Sequence, residues 1–134
     1  IELVPSALDI VDEYVEAVRS GTIPLNKLLI TRRVSQELGE YQQFNDAVAA
    51  LKQLDDVGFD VNPGEAVKYL ICDCRSKESH KRVKIDSFIS GNEGYDVEAY
   101  LDLLLRGVEG MLLPFGYDME RLSATFDTKN PRSR

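Results

Sequence analysis

The segment between Asp96 and Pro114 constrains the fold most strongly, because its apolar residues recur three and four positions apart. This spacing puts them along one side of an α-helix, and that side must be buried against other elements. Asp96 can cap the first turn, and Pro114 and Gly116 stop the helix. We therefore predict a helix over about residues 97–113. Its apolar stripe consists of Val97, Tyr100, Leu101, Leu104, Val108, Met111 and Leu112.

Two further segments have helical periodicity and end at a glycine. Residues 7–20 follow Ser6, which opens a sequence similar to a capping box, and they stop at Gly21. Residues 45–56 continue an apolar stripe that begins at Phe44, and they stop before Gly58. We predict a helix over each segment, which gives three main helices.

The alternating pattern of a strand occurs in the middle of the chain. Val67, Tyr69 and Ile71 alternate with their neighbours, which predicts a strand over residues 66–73. Residues 83–85 have the same character and predict a second, shorter strand. The two strands can pair as a hairpin.

These elements together predict an α+β fold. It is a mostly helical domain, with three main helices packed against a small antiparallel sheet or hairpin. We expect the domain to span residues 1–122 and the polar residues 123–134 to form a flexible tail. Residues 31–35 are polar and basic and are predicted to form a turn.

Charge is distributed unevenly along the chain. The net charge is -7, from 16 Lys and Arg against 23 Asp and Glu, which is not typical of a dedicated nucleic-acid binder. Basic residues nevertheless cluster at Arg32-Arg33 and in the stretch 75–84. On composition alone a solvated loop explains this stretch, and an anion-binding surface is the alternative. Its basic residues are Arg75, Lys77, His80, Lys81, Arg82 and Lys84.

No motif for catalysis or for a cofactor is found in the sequence. The phosphate-binding, dinucleotide-binding, zinc-protease and nucleophile-elbow patterns are all missing. A zinc site needs about four ligands, and His80 is the only residue near Cys72 and Cys74 that could join them. We expect reduced thiols, no catalytic residue, no metal and no cofactor in this chain.

An ordered series of short motifs runs through most of the chain. The motifs are Leu-Leu-Ile-Thr-Arg-Arg-Val-Ser-Gln-Glu-Leu-Gly-Glu-Tyr at residues 28–41, Ala-Val-Ala at 47–49, Pro63-Gly64, Val67-x-Tyr69-x-Ile71, Lys81-Arg82, Tyr95-Asp-Val-Glu-Ala-Tyr100-Leu, Val108-Glu109 and Phe115-Gly116-Tyr117. This series resembles the thumb domain of family B DNA polymerases, above all archaeal ones. The resemblance covers about residues 11–122 and depends on order and spacing rather than on any single motif.

The resemblance implies a non-catalytic part of a DNA-directed DNA polymerase. It would hold the primer–template duplex by phosphate contacts, which position DNA without reading its sequence, and guide it between the polymerase and exonuclease sites. Lys68 is expected to be exposed or ion-paired rather than to contact DNA. The residues expected to bind DNA, from the resemblance and from the two basic stretches, are Arg32, Arg33, Ser35, Gln36, Arg75, Lys77, Lys81, Arg82 and Lys84.

The resemblance also implies partners. These are the duplex and the catalytic palm and exonuclease domains, either of the same polymerase or of a partner polypeptide. Magnesium is expected in the palm, outside this chain, and the location is expected to be cytoplasmic. No apolar run reaches the ~20 residues that cross a bilayer, so no membrane contact is expected. The tail lacks the glutamine of clamp-binding peptides, so it gives no support for a sliding clamp as partner.

Several positions depart from the family pattern. Gln36 stands where close relatives carry Arg, Gln42 replaces a frequent Lys, and Leu103 and Leu113 occupy positions of polar or basic contacts. The basic surface is therefore thinner than in those relatives. Three hypotheses stay open: the thumb of an active polymerase, a separate thumb polypeptide that docks onto a catalytic partner, and a degenerate thumb that serves as a protein-interaction module. The lack of a starting Met favours a piece of a longer chain.

Overall fold

The computed structural model describes residues 3–128, and their helices and small antiparallel sheet confirm the predicted α+β fold. Within this range no helix is both long enough and apolar enough to cross a membrane. The chain divides into two units, residues 3–24 with 97–128 and residues 25–96. The elements are α1 (Leu3–Ser20), β1 (Ile30–Arg33), α2 (Asp46–Asp56), β2 (Ala66–Ile71), α3 (Ser79–Arg82), β3 (Val83–Ile85), α4 (Val97–Leu112) and α5 (Met119–Phe126).

The first unit is a helical assembly in which α4 contacts both α1 and α5. The buried side of α1 consists of valines at helical spacing, Val11, Val15 and Val18, in agreement with the helical periodicity of this segment. The guanidinium of Arg19, near the end of α1, donates to the carbonyl oxygens of Phe126 at 2.6 Å and Asp127 at 2.8 Å. It thereby satisfies carbonyl groups at the C-terminal end of α5, where a positive charge is favoured.

The short helix α5 was not predicted. Asp118 caps it by accepting a hydrogen bond from the Arg121 N–H at 2.8 Å, and the Glu109 carboxylate accepts the Met119 N–H at 2.7 Å. Leu122 and Phe126 are buried. The first residues of the predicted tail over residues 123–134 belong to α5, and residues 129–134 lie outside the described range.

The second unit contains a three-stranded antiparallel sheet with the strand order β1-β2-β3. The hairpin partners β2 and β3 are paired as predicted, with Tyr69 opposite Ile85. The strand β1 replaces part of the predicted basic turn, because its backbone pairs with β2, with Thr31 opposite Lys68 and Arg33 opposite Ala66. The turn prediction for residues 31–35 is thus wrong for the residues in β1.

Helix α2 packs against β2 and β3 and supplies much of the core of this unit. Asn45 caps the helix, because its side-chain oxygen accepts the Val48 N–H at 2.9 Å. The helix buries mainly small and aliphatic side chains. The core residues of α2 and the sheet are Val48, Ala49, Ala50, Leu51, Val67, Tyr69, Leu70, Ile71, Val83 and Ile85.

Candidate nucleic-acid interface

One face of the sheet carries a cluster of basic side chains. Residues directly opposite in an antiparallel pair lie on the same face, and successive residues alternate between faces. The pairs Thr31–Lys68, Arg33–Ala66 and Leu70–Lys84 therefore share one face, which we call the basic sheet face. Its charged residues are Arg33, Lys68 and Lys84. The opposite face carries the buried residues Val67, Tyr69, Ile71, Val83 and Ile85.

Arg33 and Lys68 are the exposed cations of the basic sheet face, and neither forms an ion pair among residues 3–128. The Nη1 atom of Arg33 donates to the carbonyl oxygen of Gly64 at 2.6 Å, which orients the guanidinium but leaves its charge unneutralised. Lys68 was expected to play no part in binding. Lys68 shares this face with Arg33 only because β1 pairs with β2. No local signal in the sequence could have shown that the two side chains lie on the same face.

Arg32, which was predicted together with Arg33, lies on the other side of the sheet. It is opposite Val67 on the apolar face, at the exposed end of β1. It is solvent-exposed and has no ion pair within the described residues. Strand pairing thus separates two arginines that the sequence presents as a single basic spot.

Ser35 and Gln36 follow β1 and are held by the side chain of Tyr41. The Tyr41 hydroxyl oxygen accepts the Ser35 N–H at 3.2 Å and the Gln36 N–H at 3.4 Å, and it lies 3.5 Å from Ser35 Oγ. The side-chain hydrogen bond with Ser35, helped by the two backbone N–H groups against the opposing effect of burial, lowers the pKa of Tyr41. Tyr41 was noticed only as part of a motif, so its role beside the predicted residues is new.

The stretch 75–84 is less available for phosphate than its sequence indicates. Lys81 pairs with Glu78 at 2.8 Å, and Lys84 pairs with Glu93 at 2.7 Å. The hydrogen bond from Lys84, followed by those from Ser90 and Gly91, holds the pKa of Glu93 well below its usual range, so this carboxylate stays charged and neutralises Lys84. Arg75 and Lys77 are exposed in the loop before α3.

Arg82 is buried, which is at odds with the prediction that it contacts DNA. Only 8% of the residue is exposed, and its Nε atom lies 2.6 Å from Oδ1 of Asp46. Its Nη1 atom also donates to the carbonyl oxygen of Ser76 at 3.3 Å, and the guanidinium lies 5.0 Å from the ring centroid of Phe44. Reaching a phosphate would require breaking a buried ion pair, which is costly. Arg82 therefore has a structural role, because it links α3 to Asp46 at the start of α2. We leave it out of the candidate interface.

The chain is similar to DNA polymerases over nearly all of its length. The model of the family described as DNA polymerase family B matches residues 2–115. A DNA polymerase of Thermococcus aggregans is 30% identical over 120 residues, which cover 89% of this chain and 7% of that protein. A DNA polymerase of Pyrococcus horikoshii is 30% identical and is covered to 10% of its length, and one of Thermococcus gorgonarius is 29% identical and covered to 16%.

The fold is also similar to that of a solved structure. The family B DNA polymerase from the hyperthermophilic archaeon Pyrobaculum calidifontis matches with a TM-score of 0.65 and 26% sequence identity. The match covers 76% of this chain and 13% of that one. The chain therefore spans a small part of the length of each of these relatives.

Proposed function

The chain belongs to DNA polymerase family B, and from that premise we propose that it is the thumb of such a polymerase and holds the primer–template duplex without reading its sequence. The catalytic palm, with its magnesium ions, and the exonuclease domain would then lie outside this chain, in the same polypeptide or in a partner. The thumb would bind the duplex behind the polymerase site and guide the primer between the polymerase and exonuclease sites.

The observation that carries the proposal is the pair of unneutralised cations, Arg33 and Lys68, on one face of a sheet in a chain of net charge -7. Phosphate contacts come from Arg and Lys side chains, hydroxyls, amides and backbone N–H groups, and they fix the position of a duplex without specifying bases. Ser35 and Gln36 come after Arg33 and the buried Val34, and they add a hydroxyl and an amide. The chemistry of this segment thus suits a grip on any sequence.

Duplex affinity is expected to fall steeply with salt. Two phosphates neutralised by Arg33 and Lys68 predict a slope of log K against log salt of about -2, since each neutralised phosphate adds about -0.9. Arg33→Ala should flatten the slope by about one unit. Fluorescence anisotropy with a labelled primer–template duplex at several salt concentrations measures both quantities, and duplexes of unrelated sequence should bind alike.

Two arginine variants serve as controls for this measurement. Arg106 is paired with Asp102 at 2.8 Å on α4, so Arg106→Ala should leave the slope unchanged. Arg32→Ala removes another exposed charge, on the opposite sheet face, and should flatten the slope less than Arg33→Ala. A salt-independent affinity, or equal effects of Arg33→Ala and Arg106→Ala, would rule out the proposed grip.

A protein-interaction module is the second candidate function. Apolar side chains are exposed at the end of α4 and in the turn that follows, where Met111, Leu113 and Phe115 are 68%, 54% and 57% exposed. Exposed apolar groups of this kind are typical of contact surfaces. This alternative predicts no salt-dependent duplex binding, so the same titration distinguishes it from the grip.

A further inference from the structure

Residues 35–36 have one anchor in the described part of the chain, and that anchor is a single oxygen atom. Every hydrogen bond found for Ser35 and Gln36 goes to the Tyr41 hydroxyl. Both backbone N–H groups converge on this oxygen. The position of the segment that follows Arg33 therefore depends on where the Tyr41 side chain lies.

The backbone position of Tyr41 is in its own right fixed by the 3-10 turn that precedes it. Around a 3-10 turn at Leu38–Glu40, the Glu40 carboxylate accepts the Glu37 N–H at 3.1 Å, and the Glu40 N–H donates to the carbonyl oxygen of Glu37 at 2.9 Å. The Tyr41 N–H donates to the carbonyl oxygen of Leu38 at 3.4 Å. Such hydrogen bonds satisfy the free N–H groups at the start of a helical turn. The loop from Ser35 to Tyr41 is thus closed by its own side chains.

The other end of the segment is anchored to the turn before β2. The Val34 N–H donates to the carbonyl oxygen of Glu65 at 2.7 Å, and the Gly64 N–H donates to the carbonyl oxygen of Val34 at 2.8 Å. Val34 is buried, and Arg33 also bonds to Gly64. Residues 33–34 therefore remain held when Tyr41 changes, whereas residues 35–36 lose their only described anchor.

We propose that Tyr41 is a positioning residue for duplex binding, because its hydroxyl holds Ser35 and Gln36 in line with Arg33 before DNA arrives. This inference rests on the proposed function. Tyr41 acts through residues 35–36, since its hydroxyl oxygen accepts the N–H groups of both. A preordered segment pays less conformational entropy on binding, and ordering one side chain typically costs about 0.5–1.5 kcal/mol, or roughly two- to tenfold in affinity.

Tyr41→Phe removes the hydroxyl and keeps the ring. We expect it to weaken duplex affinity by about two- to tenfold without changing the salt slope, because the phosphate contacts themselves remain. Tyr14→Phe is the matched control, since Tyr14 is 53% exposed on α1 and far from this segment in sequence, and it should bind like the unchanged chain. Urea unfolding of both variants monitors stability.

A double-mutant cycle separates positioning from a general structural effect. In a chain that carries Ser35→Ala and Gln36→Ala, the further change Tyr41→Phe should weaken affinity by less than twofold, because the contacts that it positions are reduced. A full effect of Tyr41→Phe in that background, or no effect in the unchanged chain, overturns the inference. If Arg33→Ala still flattens the salt slope, only the inference about Tyr41 fails, and the proposed grip survives.

Discussion

Arg82→Leu is expected to lower the free energy of unfolding by about 3–5 kcal/mol, the usual loss when one partner of a buried ion pair is removed. The Arg82 and Asp46 side chains are 10% and 13% exposed, and 2.6 Å separates Nε from Oδ1. Leucine would leave the Asp46 carboxylate without this partner in a poorly solvated place. The contacts of the guanidinium with the Ser76 carbonyl oxygen and the Phe44 ring would also be lost. Urea unfolding followed by circular dichroism measures the change.

The adjacent residue provides a matched control for this change. Lys81 on the same short helix pairs with Glu78, but their side chains are 63% and 56% exposed, so Lys81→Leu should leave the free energy of unfolding nearly unchanged. Adding Asp46→Leu to Arg82→Leu should restore part of the lost stability, because no charge is then left buried. Similar small effects of Arg82→Leu and Lys81→Leu would contradict the structural role of Arg82.

Local sequence patterns were sufficient for the elements that have their own periodicity and end signals. Helix α4 was predicted from its apolar stripe and from Pro114, and the structure ends it at Leu112. The strands β2 and β3 followed from alternation. The patterns predicted the elements better than the buried residues, because Met111 of the predicted α4 stripe is 68% exposed and Leu105, outside that stripe, is fully buried.

The elements that were missed depend on contacts between distant residues. In β1 only Ile30 is even partly buried, and the strand exists because its backbone pairs with β2. Helix α5 is short, and it depends on Glu109 of α4 for one of its first N–H groups. Propensity is a weak guide where tertiary contacts decide.

At the candidate site, too, contacts between distant residues decide what the local sequence cannot show. Lys81 and Arg82 are adjacent and equally basic in sequence, but α3 turns one toward solvent and the other toward Asp46, which is 36 residues away. Lys84 is likewise neutralised by Glu93. A basic run therefore shows how much charge is present, while only the fold shows which charges remain available for phosphate. On the basic sheet face Arg33 and Lys68 remain available.

Gln53→Leu is expected to lower the free energy of unfolding by about 2–4 kcal/mol, because it removes the partner of the buried Val83 carbonyl and Ile85 N–H, at roughly 1–3 kcal/mol each, whereas the Ser79 carbonyl oxygen still accepts the Val83 N–H. The side-chain amide nitrogen donates to the carbonyl oxygens of Ser79 at 2.6 Å and Val83 at 2.5 Å. The side-chain oxygen accepts the Ile85 N–H at 3.3 Å. One buried glutamine of α2 thus satisfies three backbone groups, and leucine fills a similar volume without satisfying any.

The location of Gln53 gives this prediction a local readout. β3 is the last strand of the sheet and pairs only with β2, so its other edge depends on Gln53. Amide hydrogen exchange at Ile85 should therefore accelerate in Gln53→Leu. Exchange at Val34 should change less, because its N–H donates to the carbonyl oxygen of Glu65, which directly precedes β2. The exposed Gln43→Leu is the control and should alter neither. Unchanged protection at Ile85 with unchanged stability would show that water replaces Gln53 at no cost, and that the edge of β3 is held by its pairing with β2 alone.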